Sequence, residues 1–179
     1  QEKMAERLGI SKIPLIQALS VLRNERLIEY HPRKGFFVRK ISKQEYYDLI
    51  DVRRILECLA VQKIIDNLNE GIKKTLLKFL SDFEKYNEKK DYIKYYGVDK
   101  KFHIYLLEAS GNSYLKHINN SFNILLLCFT KGFRTKIELS MDYHRKIINA
   151  ILKKEIASSL KLMKVHIEHK KESHLLDEH

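Results

Sequence analysis

The sequence predicts a mainly α-helical protein with a small β-hairpin near the N-terminus, followed by an all-α bundle of six antiparallel helices. Both prolines precede residue 42, and the strand-like alternation of apolar residues is confined to about residues 27–39. After Ile41 the apolar residues recur at the three- to four-residue spacing of helices that are buried on one face. We therefore predict two domains, residues 1–41 and residues 42–179.

The composition is that of an ordinary globular protein. Of the 179 residues, 44% are hydrophobic and 32% are charged. The longest unbroken apolar run, Ile124–Phe129, is far too short to cross a membrane, and no charged-then-apolar leader opens the chain. We therefore expect a cytoplasmic protein without a membrane partner.

The positive charge is concentrated near the N-terminus. The formal charge at pH 7 is +11, and residues 1–43 carry ten lysines and arginines against four glutamates. This quarter of the chain thus holds about half of the excess charge. Such a segment favours a polyanion partner such as nucleic acid, although a solvated charged face gives the same composition.

The first 41 residues predict a helix, a turn, a second helix and a hairpin. A helical pattern over residues 3–8 stops at Gly9, and Ser11 is a candidate N-cap for the next helix. Residues 27–30 and 36–39 predict two strands joined by a turn that contains proline and glycine.

This order of elements predicts a winged helix-turn-helix. Its second helix fits the major groove of DNA, and its wing can lie along the phosphates or in the minor groove. The candidate DNA contacts lie along the second helix and at the hairpin tip: Ser11, Lys12, Gln17, Arg23, Arg33, Lys34 and Gly35. A helical hairpin that binds another protein would give a similar pattern, so the pattern alone leaves both interpretations open.

Six helices account for the rest of the sequence. They are predicted to span residues 43–67, from Gly71 to 87, 91–111, 112–136, 140–153 and 155–176, with Ser140 as the cap of the fifth. On the first of them we expect these residues to face the core: Tyr46, Leu49, Ile50, Ile55, Leu56, Leu59 and Ala60.

Four polar residues could meet inside this bundle. Asp99 and His103 lie four residues apart and so share one face of a helix, among apolar neighbours where an unpaired carboxylate is costly. His144 and His166 lie ten and twelve residues from the turn near residue 154, so antiparallel helices would bring them to a similar height.

One carboxylate and three imidazoles suit a divalent transition metal, with zinc or nickel favoured over manganese or iron. A surface position or a hydrogen-bonded core position is the alternative for each histidine. The spacing alone therefore leaves a metal centre and four unrelated polar residues both open.

The stretch "MAERLGISKIPLIQALSVLRNERLIEYHPRKGFFV", residues 4–38, resembles the DNA-binding domain of GntR-type bacterial transcription regulators. The matching positions are Ala5, Leu8, Gly9, Ser11, Pro14, Ala18, Leu19, Leu22, Leu27, Gly35 and Val38. Lys12 stands where the family usually has arginine, and Ile16 and Gln17 replace a usual Arg-Glu pair. The family's domain usually begins with a further helix, so we expect this chain to be incomplete at its N-terminus.

The stretches "VDKKFHIYLLEASGNSYL" and "DYHRKIINAILKKEIASSLKLMKVHI" resemble the FCD effector domain that follows many GntR-type winged helices, and six bundle helices look closer to its VanR branch than to its FadR branch. The resemblance implies metal ligation at the matching positions Asp99, His103, His144 and His166. It also implies a small carboxylate metabolite beside the metal, with Arg53 at the position of an arginine often found on the first bundle helix. The alternative is that Arg53 is solvated or pairs with Glu57, four residues on.

The resemblance implies a homodimeric regulator, most often a repressor, whose grip on operator DNA changes when a metabolite enters the bundle. A regulator with a purely structural metal is one alternative. A metal-dependent hydrolase is another, but no second carboxylate is evident as a general base, and the basic N-terminal part would then be unexplained. We therefore predict a protein that is not an enzyme.

Overall fold

A computed structural model describes residues 1–118 and 137–173. These residues fall into two compact units, one formed by residues 1–43 and the other beginning at Gln44. The described ranges contain eight helices and one two-stranded antiparallel sheet, which confirms the predicted mainly helical fold class. None of these helices is both long enough and apolar enough to cross a membrane.

The N-terminal unit begins with two helices. Helix α1 (Glu2–Leu8) ends at Gly9, whose φ of 64° lies in the left-handed region that glycine adopts without strain. Helix α2 (Lys12–Asn24) begins after Ser11, whose backbone is extended as in an N-cap although its side chain makes no capping hydrogen bond. The predicted helix-turn-helix is therefore present.

Strands β1 (Ile28–His31) and β2 (Gly35–Val38) form the hairpin and pair antiparallel. Both strands lie one residue closer to the turn than the predicted 27–30 and 36–39. The reason is that the turn is confined to three residues, with Arg33 at a φ of 65°. The tip of the wing is therefore tighter than the sequence suggests.

A small apolar core holds the N-terminal unit together. Ala5 of α1 packs with Leu15 and Leu19 of α2, and the half-buried Ile28 and Phe36 of the hairpin cover these three buried residues. The hairpin is thereby fixed against the two helices of its own unit.

The second unit consists of helices in its described residues. They are α3 (Lys43–Asp66), α4 (Glu70–Glu88), α5 (Tyr92–Ala109), α6 (described over residues 113–118), α7 (Ile137–Leu152) and α8 (Ile156–Ser173). Helix α4 packs against α5 and α7, and α7 packs against α8. Connections of three residues join α4 to α5 and α7 to α8, so each of these two pairs runs antiparallel. The predicted ends of the fourth and sixth bundle helices lie outside the described residues.

Ser140 does not cap the fifth bundle helix, so that prediction is wrong. Helix α7 already includes Ile137, and Ser140 lies inside it with 7% of its surface exposed. A hydrogen bond between Ser140 and the hydroxyl of Tyr95 on α5 gives the serine a partner within the bundle. The serine therefore contributes to packing between helices rather than to a helix terminus.

The buried face of α3 also differs from the prediction. Tyr46, Ile50 and Ala60 are buried as expected, but Ile55 and Leu59 are 61% and 39% exposed. The buried face passes instead through residues 50, 57, 60, 61 and 64, which recur at helical spacing. This face includes Glu57, whose carboxylate is buried in the core of the bundle.

Candidate metal centre

Helices α5, α7 and α8 bring the four predicted ligands together. Asp99 and His103 lie one turn apart on α5, His144 lies on α7, and His166 lies on α8. One ligand atom from each of these residues lies within 4.8 Å of the corresponding atom of every other. The short connection between α7 and α8 brings their two histidines to one level of the bundle.

Three distances between these ligand atoms are close to those found around a bound metal. The Oδ1 atom of Asp99 lies 3.1 Å from Nε2 of His144 and 3.5 Å from Nε2 of His103. The Nε2 atoms of His103 and His166 are 3.2 Å apart. Donors bound about 2 Å from one ion are separated from each other by roughly 3 Å, so these contacts fit a small divalent cation.

The three imidazoles are almost completely buried. His103, His144 and His166 expose 4%, 0% and 3% of their surface, and the side chain of Asp99 exposes 16%. Phe83 stacks on His144 with ring centroids 4.1 Å apart, and Phe102 meets the same imidazole edge-on at 5.3 Å. The site is therefore buried and apolar on one side, which strengthens the charge interactions within it.

Glu57 of α3 supplies a second carboxylate next to the four residues. Its Oε2 atom lies 2.5 Å from Nδ1 of His103, and its side chain is 1% exposed. Burial by itself would raise the pKa of the Glu57 carboxyl, but the charges of Arg53 and His103 and their hydrogen bonds lower that pKa to about 2. Glu57 is therefore an ionised carboxylate inside the bundle.

Arg53 compensates this charge from one turn earlier on α3. Its Nε donates to Oε1 of Glu57 at 2.5 Å, and its side chain is 14% exposed. Burial would lower the pKa of the guanidinium, but the negative charges of Glu57 and Asp99 raise it above its ordinary value. The predicted effector residue therefore pairs with Glu57, the alternative that the sequence left open, and its charge acts on the four-residue cluster.

Tyr95 of α5 contacts the far side of His144. Its hydroxyl lies 3.0 Å from Nδ1 of the imidazole. Burial raises the pKa of this hydroxyl well above its usual range, although the hydrogen bond with Ser140 acts in the opposite direction. Tyr95 is therefore a neutral hydrogen-bonding partner, and Nε2 of His144 is the nitrogen that faces Asp99.

The candidate DNA contacts lie on the surface of the N-terminal unit. Ser11, Lys12, Gln17, Arg23, Arg33 and Lys34 are exposed, and Gly35 is half-buried at the start of β2. Lys12 forms an ion pair with Glu2 at the start of α1, which lowers the pKa of Glu2 to about 2. Arg33 and Lys34 at the hairpin tip are exposed, so a polyanion could reach their charges.

A comparison with protein families matches residues 48–169 to the FCD domain. The chain belongs to the FCD domain family. The matched range contains Arg53, Glu57 and all four residues of the cluster. The predicted resemblance is thus confirmed for the family, whereas membership of the VanR branch stays a prediction.

Curated relatives extend the homology beyond the FCD domain to the N-terminal unit. The chain is 27% identical to the HTH-type transcriptional regulator YdhC of Bacillus subtilis, over 99% of this chain and 82% of that protein. It is 25% identical to the gluconate operon transcriptional repressor of the same organism, over 88% and 68%, and 25% identical to the transcriptional repressor GlaR of Escherichia coli, over 92% and 80%. These homologues are transcriptional regulators, not enzymes.

Solved structures share the fold. Lar of Listeria monocytogenes, described as controlling expression of the agr system, superposes with a TM-score of 0.73 at 19% identity, over 98% of this chain and 85% of that one. McbR of Escherichia coli superposes with a TM-score of 0.72 at 18% identity, over 94% and 82%.

Sequence reasoning missed two polar residues of this FCD domain. Glu57 enters the sequence prediction only as a pairing partner of Arg53, and Tyr95 does not enter it. The signal for Glu57 is its helical spacing from the buried Ile50, Ala60 and Ile64 on α3. Tyr95 lies four residues before Asp99 and shares its helix face.

Proposed function

We propose that this FCD-domain chain is a metal-containing, metabolite-responsive transcription regulator that binds operator DNA as a homodimer in the cytoplasm, as a repressor. Homology to transcriptional regulators across both units supports an action on DNA. The observation that carries the sensing part of the proposal is the buried cluster of one carboxylate and three imidazoles.

The proposed cofactor is a divalent transition metal held by Asp99, His103, His144 and His166. Imidazole nitrogens with one carboxylate favour zinc or nickel over manganese or iron. A bound ion would supply a concentrated positive charge beside the acidic groups of the site and would attract an anionic ligand.

The proposed effector is a small carboxylate. Two relatives are repressors of a gluconate operon, and gluconate is a carboxylic acid. Arg53 keeps a positive charge that interacts with the carboxylate of Asp99. A guanidinium can also bind a carboxylate through two parallel hydrogen bonds. Entry of such an acid would favour one arrangement of the helices and thereby change the spacing of the two DNA-binding units in the dimer.

The proposed DNA contacts are the exposed residues of helix α2 and of the wing. Ser11 immediately precedes α2, and Lys12 and Gln17 lie on its first two turns, where base edges in the major groove would be read. Arg33 and Lys34 at the wing tip, with Gly35 beside them, would neutralise phosphates, as would Arg23 near the end of α2.

A binding assay on DNA from upstream of its own gene tests this function. Fluorescence anisotropy is measured for the full chain, loaded with zinc or stripped by a chelator, across a range of salt and with a panel of small carboxylic acids. We expect affinity to fall steeply with salt, and an active acid to weaken binding by the zinc-loaded chain only. Binding that is insensitive to salt, or an acid effect that is the same without metal, contradicts the proposal.

The near-complete burial of the three imidazoles favours a second candidate, a regulator whose metal is purely structural. The two candidates differ in thermal stability. An effector stabilises the zinc-loaded chain beyond the effect of zinc alone, whereas no acid does so if the metal only supports the fold.

A further inference from the structure

Glu57 lies next to the proposed metal centre but is not one of its four proposed ligands, so its role needs a separate explanation. It is the most deeply buried carboxylate among the described residues, and it contacts a proposed ligand rather than the proposed ion. We infer that Glu57 is a positioning residue, which holds His103 in the tautomer and the ring orientation that present its Nε2 atom to the metal. This inference rests on the proposed metal centre.

The hydrogen bonds of Glu57 fix where the proton of His103 lies. The ion pair with Arg53 requires Glu57 to be a carboxylate anion, which only accepts hydrogen bonds, and its Oε1 atom already accepts one from Arg53. The contact of 2.5 Å between Oε2 and Nδ1 of His103 therefore requires a proton on Nδ1. In the neutral imidazole this leaves the lone pair on Nε2, the atom that lies 3.5 Å from Asp99 and 3.2 Å from His166.

The other polar neighbours of His103 favour the same ring orientation. Turning the imidazole over about its Cβ–Cγ axis would carry Nε2 away from Asp99 and His166, which lie 3.5 Å and 3.2 Å from it. The ring of Phe102, 5.4 Å away at 64°, offers no polar atom that would distinguish the two orientations. Glu57 makes the closest of the polar contacts, and it is the residue that reaches Nδ1.

The contact between Tyr95 and Nδ1 of His144 does not determine the tautomer of His144 in this way. Tyr95 lies 3.0 Å from Nδ1 of His144, but a neutral hydroxyl can either donate or accept a hydrogen bond. Either tautomer of His144 is therefore compatible with Tyr95. Because a carboxylate has no such freedom, Glu57 determines which nitrogen of His103 can bind a metal.

Two measurements on the full chain test the inference. Long-range ¹H–¹⁵N correlation spectra of the metal-free protein report which nitrogen of His103 carries the proton. Competition titrations with Co²⁺, whose visible spectrum depends on its ligands, report affinity and geometry. The variants are Glu57→Gln, which keeps the side-chain volume, and Glu57→Leu, which removes every hydrogen bond. Ser159→Ala, which removes another buried polar group of the bundle, is the control.

We expect the proton on Nδ1 of His103 in the wild-type chain. Both Glu57 variants should lose about 10- to 100-fold in cobalt affinity and change the cobalt spectrum, with the larger loss for leucine. Ser159→Ala should bind cobalt as the wild type does. A proton on Nε2 in the wild type overturns the inference without any variant, and so does unchanged affinity in a folded Glu57 variant. If the wild-type chain takes up no cobalt, the proposed metal centre itself fails, an outcome that the wild type alone reveals.

Discussion

Asp99 lies among apolar residues, where a carboxylate needs compensation. The structure provides it from Nε2 of His144 at 3.1 Å and from the positive charge of Arg53. Glu57 adds a second buried carboxylate, which contacts Arg53 and His103. A divalent cation would add positive charge beside these two carboxylates.

Substitution of Lys12 tests the proposed DNA-binding surface. In the free protein Glu2 forms an ion pair with Lys12 and therefore competes with DNA for this lysine. Lys12→Gln should weaken binding to DNA of any sequence and should reduce the slope of log affinity against log salt by about 0.9. Glu2→Gln should strengthen binding, since DNA no longer has to displace a carboxylate. Anisotropy titrations at several salt concentrations measure both. Equal salt slopes for wild type and Lys12→Gln would remove Lys12 from the interface.

Among the elements, α3 shows where apolar patterning misleads. The expected face included Ile55 and Leu59 because both are apolar, whereas the buried face contains Glu57. A charged residue is buried at that point since Arg53 and His103 both bind it, and this pairing is not visible in the sequence. The contacts of Glu57, rather than the apolar pattern of the sequence, therefore determine which face of α3 is buried.

A pair of alanine substitutions on α3 tests this orientation. Ile64→Ala removes a fully buried side chain and should lower the free energy of unfolding by about 2–5 kcal/mol. Ile55→Ala, at a position that is 61% exposed, should change it by no more than about 0.5 kcal/mol. Urea unfolding followed by circular dichroism measures both. A larger loss for Ile55→Ala than for Ile64→Ala would contradict the observed face.

In the whole molecule, distances along the chain allow the sequence to predict one part of the site. Asp99 and His103 share a face because they lie one turn apart, and His144 and His166 reach one level because a three-residue connection joins their helices. The hairpin follows equally from local turn residues. Helical spacing places Glu57 and Tyr95 on buried faces, but their partners could not be predicted in this way, because these contacts join helices whose packing no local pattern specifies.

A metal-loading experiment on matched histidine variants tests whether Asp99, His103, His144 and His166 hold a metal. His166→Ala removes a proposed ligand, whereas His169→Ala removes a histidine of the same helix that contacts Tyr143 instead. Each chain is stripped, reloaded with zinc and analysed for metal content and melting temperature.

We predict about one zinc ion per chain for the wild type and for His169→Ala, and none for His166→Ala. At free zinc about 100-fold above the dissociation constant, binding should stabilise the first two by about 2.7 kcal/mol, which raises the melting temperature by about 5–10 °C. A wild-type chain that retains no zinc, or two histidine variants that retain it equally, would contradict the claim.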